Sequence, residues 1–149
     1  MRAWRGAALV AAVVGTGAAC GGGDGGNGPS ASEIEGTWNA TRVLFVSQAD
    51  PQQSVDLIAL GATGVIVLDP SKAFTFTLTP TVGPVEVQTG TWKLSGTMLT
   101  VTPTGAAFNW QFNVTLTATT IKLAGADVEF DINDDGTDEP AKLTIEATR

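Results

Sequence analysis

At 149 residues, with 15 carboxylates against 8 Lys and Arg and a formal charge of −7, the chain has room for one domain whose core needs no cross-links. It holds no His, no Tyr and 1 Cys, which excludes Ser–His–Asp triads, imidazole zinc sites and a disulfide framework. No Ser lies in a nucleophile-elbow pattern and no Gly-rich loop runs from a strand into a helix, so the expected protein is not an enzyme.

The chain opens Met1-Arg2-Ala3-Trp4-Arg5, continues with an apolar run from Ala7 to Val14, and reaches Cys20 through Gly15-Thr16-Gly17-Ala18-Ala19. Two arginines precede a run too short for the roughly 20 residues that a bilayer core demands, which makes residues 1–19 a signal peptide rather than an anchor. The small residues directly before Cys20 resemble the lipobox of bacterial lipoproteins, with Gly17 standing where that family usually has an aliphatic residue. The resemblance implies a covalent lipid on Cys20. An exported chain with no second thiol to pair with agrees. Gly21 to Ser32, GGGDGGNGPSAS, reads as a flexible tether of about 20 Å root-mean-square span. Residues 20–33 are therefore the lipidated cysteine and Gly-rich linker, and residues 34–149 the folded domain. A single acyl chain holds only marginally, so the diacyl or triacyl N-terminus of the lipoprotein family is what firm retention requires. By the same resemblance, Gly21 in place of Asp implies the outer membrane or cell surface of the envelope rather than the inner membrane.

All 15 carboxylates come after Cys20, whereas Arg2 and Arg5 depart with the leader, leaving 6 cations and a formal charge of −9. Such a surface repels nucleic acid and anionic headgroups, so the membrane is met through the lipid and nucleic acid is no partner.

From Glu35 onward apolar residues alternate with polar ones, most often Thr, as in half-buried strands. Turn signals divide this body into eight strands near 36–47, 62–69, 73–80, 84–94, 97–103, 107–118, 120–131 and 140–148. Phe108 to Thr117 is the clearest, apolar on one face and polar on the other. One wet face per strand points to an antiparallel sheet, closed on itself or packed on another. Asp69-Pro70-Ser71-Lys72 and Ser95-Gly96 supply tight turns, so the order is up-and-down. Ser54 to Gly61 breaks the alternation: Ser54 as N-cap, helix-compatible spacing and Gly61 as stop predict a single short helix, serving as a lid or as a plug.

Gly36-Thr37-Trp38 opens the first strand. With eight hairpin-linked strands and an early helix, it resembles the lipocalin-type barrel, whose first strand begins Gly-X-Trp. The resemblance covers about Ile34 to Arg149 and implies an all-β, eight-stranded antiparallel up-and-down barrel enclosing a small apolar molecule. In that family a late arginine lies across the tryptophan face and closes the barrel base. Arg149 is the positional candidate and Arg42 the second, so Gly36, Trp38 and Arg149 form the expected closing set. Gly90-Thr91-Trp92 repeats the tripeptide in mid-chain. Eight strands leave an interior filled by side chains or wide enough for one small ligand. The expected inward set, Trp38, Phe74, Phe76, Trp92, Phe108, Trp110, Phe112 and Phe130, leaves both open. Glu86 and Gln88 share parity with Trp92 and point inward in an unbroken strand; a bulge at Gly90, the preferred reading, turns them outward.

Asp131 to Glu139, DINDDGTDE, joins the last two strands with oxygen ligands at alternate residues. Asp131, Asn133 and Asp135 are placed to converge on one hard cation, Gly136 permits the turn, Thr137 offers its carbonyl and Glu139 closes the sphere, so Ca²⁺ is the candidate cofactor. The run resembles the Asp-X-Asp-X-Asp-Gly calcium hairpins of integrin-type propeller repeats, while Lys142 at the twelfth place excludes an EF-hand. The alternative is a solvated acidic turn. The domain then has two readings. It is a membrane-tethered barrel that binds a small hydrophobic ligand, or a non-enzymatic structural or interaction domain with a solid core and a calcium-stabilised hairpin.

Overall fold

The computed structural model describes residues 28–149; the expected signal peptide, Cys20 and the expected tether as far as residue 27 lie outside the described residues. The described chain forms α1 (Ala31–Ile34), β1 (Gly36–Ser47), β2 (Ser54–Asp56), β3 (Thr63–Leu68), β4 (Ala73–Thr79), β5 (Glu86–Ser95), β6 (Met98–Pro103), β7 (Trp110–Leu116), β8 (Thr120–Phe130) and β9 (Glu139–Thr148). From β3 to β9 each strand pairs antiparallel with the next, β3 pairs with β1, and β1 pairs with β9, which closes an eight-stranded up-and-down barrel. β2 is an addition on the edge that β3 leaves uncovered. Gly36 to Asn39 of β1 pair with β3, while Leu44 to Val46 pair with β2.

Closure requires the strands to coil, and two irregularities provide it. In β1 the register against β9 shifts between Ala40 and Arg42, and the buried face passes from Trp38 to Val43, Phe45 and Ser47. In β8 the shift falls between Ala124 and Ala126, where Gly125 takes φ +91°. The inward side there passes from Ile121 and Leu123 to Ala126 and Val128. Both shifts face β9, so the seam carries the sharpest bends.

One end of the barrel is sealed by α1, by the turns at 69–72, 96–97 and 117–119, and by Arg149. The carboxylate of Glu33 holds the first turn of α1 by accepting from the Ser30 amide at 2.7 Å, and Ile34 is fully buried beneath it. The opposite end carries the longer connections at 48–62, 80–85, 104–109 and 131–138.

Two expectations are corrected. The segment from Ser54 to Gly61 is not a helix: Ser54–Asp56 is strand β2, and turns come after it. The Asp56 carboxylate, not Ser54, organises it, with Oδ1 accepting from the amides of Val43, Ile58 and Ala59 at 3.1–3.4 Å. A side chain that takes up local amides competes with the helical ladder, and the open edge of β1 offers the same residues a strand partner. The turn still plugs the barrel, because Leu57 is buried in the core. Phe108 is also not inward. It lies before β7 in the 104–109 loop and is 39% exposed, since the strand begins at Trp110 rather than at 107.

Candidate functional site

The interior is solid toward the sealed end and hollow toward the other. Trp38, Leu68, Phe74, Trp92 and Phe112 are all buried in one continuous core, with Phe74 and Trp110 packed edge to face at 6.2 Å. Each such side chain contributes roughly 1.5–3 kcal/mol by leaving water. Toward the open end a cavity of about 310 Å³ remains, lined by residues that include Phe45, Phe76, Leu78, Glu86, Gln88 and Phe130. That volume is at the small end of ligand sites, which run from about 300 to 1,000 Å³. Phe45 of β1 and Phe130 of β8 stack on its wall with centroids 3.9 Å apart.

The polar groups of this cavity come from the strand expected to bulge. β5 runs in unbroken register against β4 and β6, with Phe76 opposite Gln88 and Leu78 opposite Glu86. Glu86 and Gln88 therefore share the inner face with Trp92, and the bulge reading is corrected. Gly90 is required for another reason. A Cβ there would collide with the Thr102 carbonyl oxygen on β6, so only glycine allows so close an approach. Gln88 Nε2 donates to the carbonyls of Thr89 at 2.9 Å and Thr104 at 3.4 Å. Glu86 is half-buried, and desolvation raises its carboxyl above the ordinary value of 4.5.

At the sealed end the structure brings the expected closing residues together. Trp38 Nε1 donates to the Ile34 carbonyl at 2.8 Å, and the Arg149 guanidinium lies 4.4 Å from the ring centroid, within cation–π range. Gly36 leads into the strand at φ +129°. Arg42 is elsewhere, paired with Asp56 at 3.4 Å. The repeated tripeptide has a matching arrangement that sequence reasoning missed. Trp92 Nε1 donates to the Asp69 carbonyl at 3.0 Å, Lys72 Nζ sits 4.0 Å over the ring, and the same ammonium pairs with Glu35 at 2.7 Å. The second Gly-X-Trp was the available signal for it.

The acidic loop after β8 brings its three expected carboxylate ligands together. Oxygens of Asp131, Asp135 and Glu139 lie within 4.8 Å of one another. Asn133 and Thr137 also shape the loop: Asn133 Oδ1 accepts from the Asp135 amide at 2.9 Å, and the Thr137 amide donates to Asp135 Oδ1 at 2.8 Å. The Gly136 amide donates to Asp131 Oδ2 at 2.8 Å with Gly136 at φ +89°, and the Ile132 amide to Glu139 Oε2 at 3.0 Å. The amide of Thr137 holds Asp135 below the usual carboxylate range, helped by the Thr137 and Asn133 side chains. Asp138 moves the other way, through burial and then the charges of Asp131, Glu129 and Glu139. Cys20 lies outside the described residues. Among the described residues no helix is long and apolar enough to cross a membrane.

In comparison with known proteins, the family model of the lipocalin-like domain matches residues 34–123. That stretch runs from the end of α1 through β1 to β7 and into β8. Neither the curated proteins nor the solved structures give a match.

Proposed function

Because the chain belongs to the lipocalin-like domain family, we propose that it is a non-enzymatic envelope lipoprotein whose barrel binds a small hydrophobic molecule at its open end. The observation that carries this reading is the cavity of about 310 Å³ walled by Phe45, Phe76, Leu78 and Phe130. A liquid water occupies about 30 Å³, so the space suits a ligand of roughly ten non-hydrogen atoms. Titrating the purified chain with an uncharged polarity-sensitive dye tests the reading. Saturable, blue-shifted fluorescence is expected, and Leu78→Trp, which fills the cavity from β4, should abolish it. A dye that stays as quenched as in buffer, or one bound equally well by the filled variant, would sink the proposal.

The membrane anchor belongs to the same proposal. It rests on the arginine-led apolar leader and on small residues running into a lone cysteine, with a glycine tether beyond. Acyl groups on Cys20 would hold the domain at the outer membrane or cell surface.

A second element is supported by its own observation. Three carboxylates within 4.8 Å of one another between β8 and β9 repel unless a cation is shared. Asp131, Asp135 and Glu139 would supply a calcium ion with hard oxygen ligands, completed by Asn133, Thr137 and water, and its role would be to pin the closing hairpin.

A further inference from the structure

We propose that the open-end cavity selects a cationic amphiphile, a small alkyl or aryl amine whose ammonium is held by Glu86, over anionic molecules of the same size. The inference rests on the proposal that the barrel binds a small hydrophobic ligand, and deepens it by naming the chemistry of the head group.

Three features of the cavity converge on it. First, the register of β5 places a carboxyl side chain on the inner face, between walls made of Phe76, Leu78, Phe45 and Phe130. Second, among the described residues no cation attends that carboxyl. Arg42, Lys72, Lys122 and Lys142 pair with Asp56, Glu35, Glu146 and Asp127, Arg149 covers Trp38, and Lys93 lies on the exposed face of β5. None of them lines the cavity. Third, the surroundings of the mouth are acidic. Glu129 and Asp138 line the adjoining hollow of about 80 Å³, which shares Gln88 with the cavity. A low-dielectric cleft with charges of one sign at its mouth raises the local concentration of the opposite ion and repels its own.

The energetics favour a ligand that brings the missing charge. Burial already raises Glu86 above its ordinary value, so its ionised form lacks solvation that no cation among the described residues replaces. An ammonium entering with an apolar tail satisfies that charge by a charge-assisted hydrogen bond, and the aromatic walls tolerate it through their negative ring faces. A carboxylate ligand would meet Glu86 as a like charge. An alcohol of the same length would bury its tail and offer a neutral hydroxyl, without the ammonium's compensating charge.

The test uses the full chain and three probes of one tail length: octylamine, octanol and octanoate, titrated calorimetrically at neutral pH against wild type and Glu86→Gln. Octylamine should bind wild type at least about tenfold more tightly than octanol, with octanoate weakest. Glu86→Gln should bring octylamine down to the octanol value measured on the same variant, and a cooperative melting curve certifies that the variant barrel is intact. Octanoate binding as tightly as octylamine, or an amine preference that survives Glu86→Gln, overturns the head-group assignment while leaving the apolar cavity standing. Failure of all three probes to bind overturns the cavity reading and this inference with it. If the variant loses octanol as well, binding of octylamine and octanol to Glu86→Asp decides: a restored preference sustains the assignment, and its absence refutes it.

Discussion

Burial disfavours the ionised form of Glu86 in the folded barrel. Its folded-state carboxyl is raised by burial above the ordinary 4.5, so the folded protein binds the proton more readily than the unfolded chain. The associated stability is fully present below the unfolded value and is lost as pH rises through the folded one. Glu86→Gln removes that titration. Its melting temperature in the absence of ligand should exceed that of wild type at pH 7, and the gap should close as pH falls below 4.5. Asp69 and Asp135, lowered by hydrogen bonds from Ser71 and Thr137, titrate in both proteins and leave the difference untouched. Paired melting curves from pH 3.5 to 8 check this; a difference constant across that range would show that the charge of Glu86 carries no cost. The residue was visible in the sequence by its parity with Trp92, yet its direction was not. Gly90 is there because the backbone of β6 occupies the place its Cβ would take, and a glycine excluded by a neighbouring strand looks the same in one dimension as a glycine that bulges. Lys72 was hidden for a similar reason. Only the turn at 69–72, with Lys72 at φ +73°, carries its ammonium over Trp92.

At the level of elements, strands were legible because each buries one face, so apolar parity reports them directly. The switches of parity at Thr41 and Gly125 mark the two bends. Ser54 to Gly61 was misread because its spacing fits a helix, while the competing partners, the edge of β1 and the three amides taken by Asp56, are fixed by tertiary structure. The hairpin between β8 and β9 has the reverse character, since its ligand pattern is entirely local. If calcium binds there with the affinity of extracellular modules, about 10⁻⁴–10⁻³ M, then calcium at about five times the dissociation constant should stabilise the barrel by about 1 kcal/mol. Melting should rise by a few degrees in millimolar calcium and fall back with chelator. Asp135→Ala also loses the bond from the Thr137 amide, so the quantity to compare is the calcium increment rather than the absolute midpoint. An increment of zero in wild type, or an equal one in the variant, would reject the site.

At the scale of the whole molecule, the barrel separates its two ends. The family match stops at residue 123, but closure depends on residues beyond it, because β9 pairs with both β1 and β8 and is followed by Arg149, which donates to the Glu35 carbonyl just after α1. The chain enters at that same sealed end: Gly28 packs against the backbone of Gly96 in the turn between β5 and β6. A tether attached there would hold the barrel by its base, leaving the cavity mouth and the acidic loops on the side away from the point of attachment. Anchoring and binding should then be separable. Cys20→Ser, produced in a bacterial host, is expected to lose the mass of the acyl groups and to move from the membrane fraction to the soluble one. Its melting temperature and dye uptake should match those of wild type, because every ladder of the closed barrel lies between residues 36 and 148. Mass spectrometry of the N-terminal peptide, fractionation and melting on the same preparations check all of this together. A variant that stays in the membrane fraction, or a wild-type peptide of unmodified mass, would refute the anchor. A soluble variant that no longer takes up dye would tie binding to the lipid, and the cavity would then need the membrane to fill.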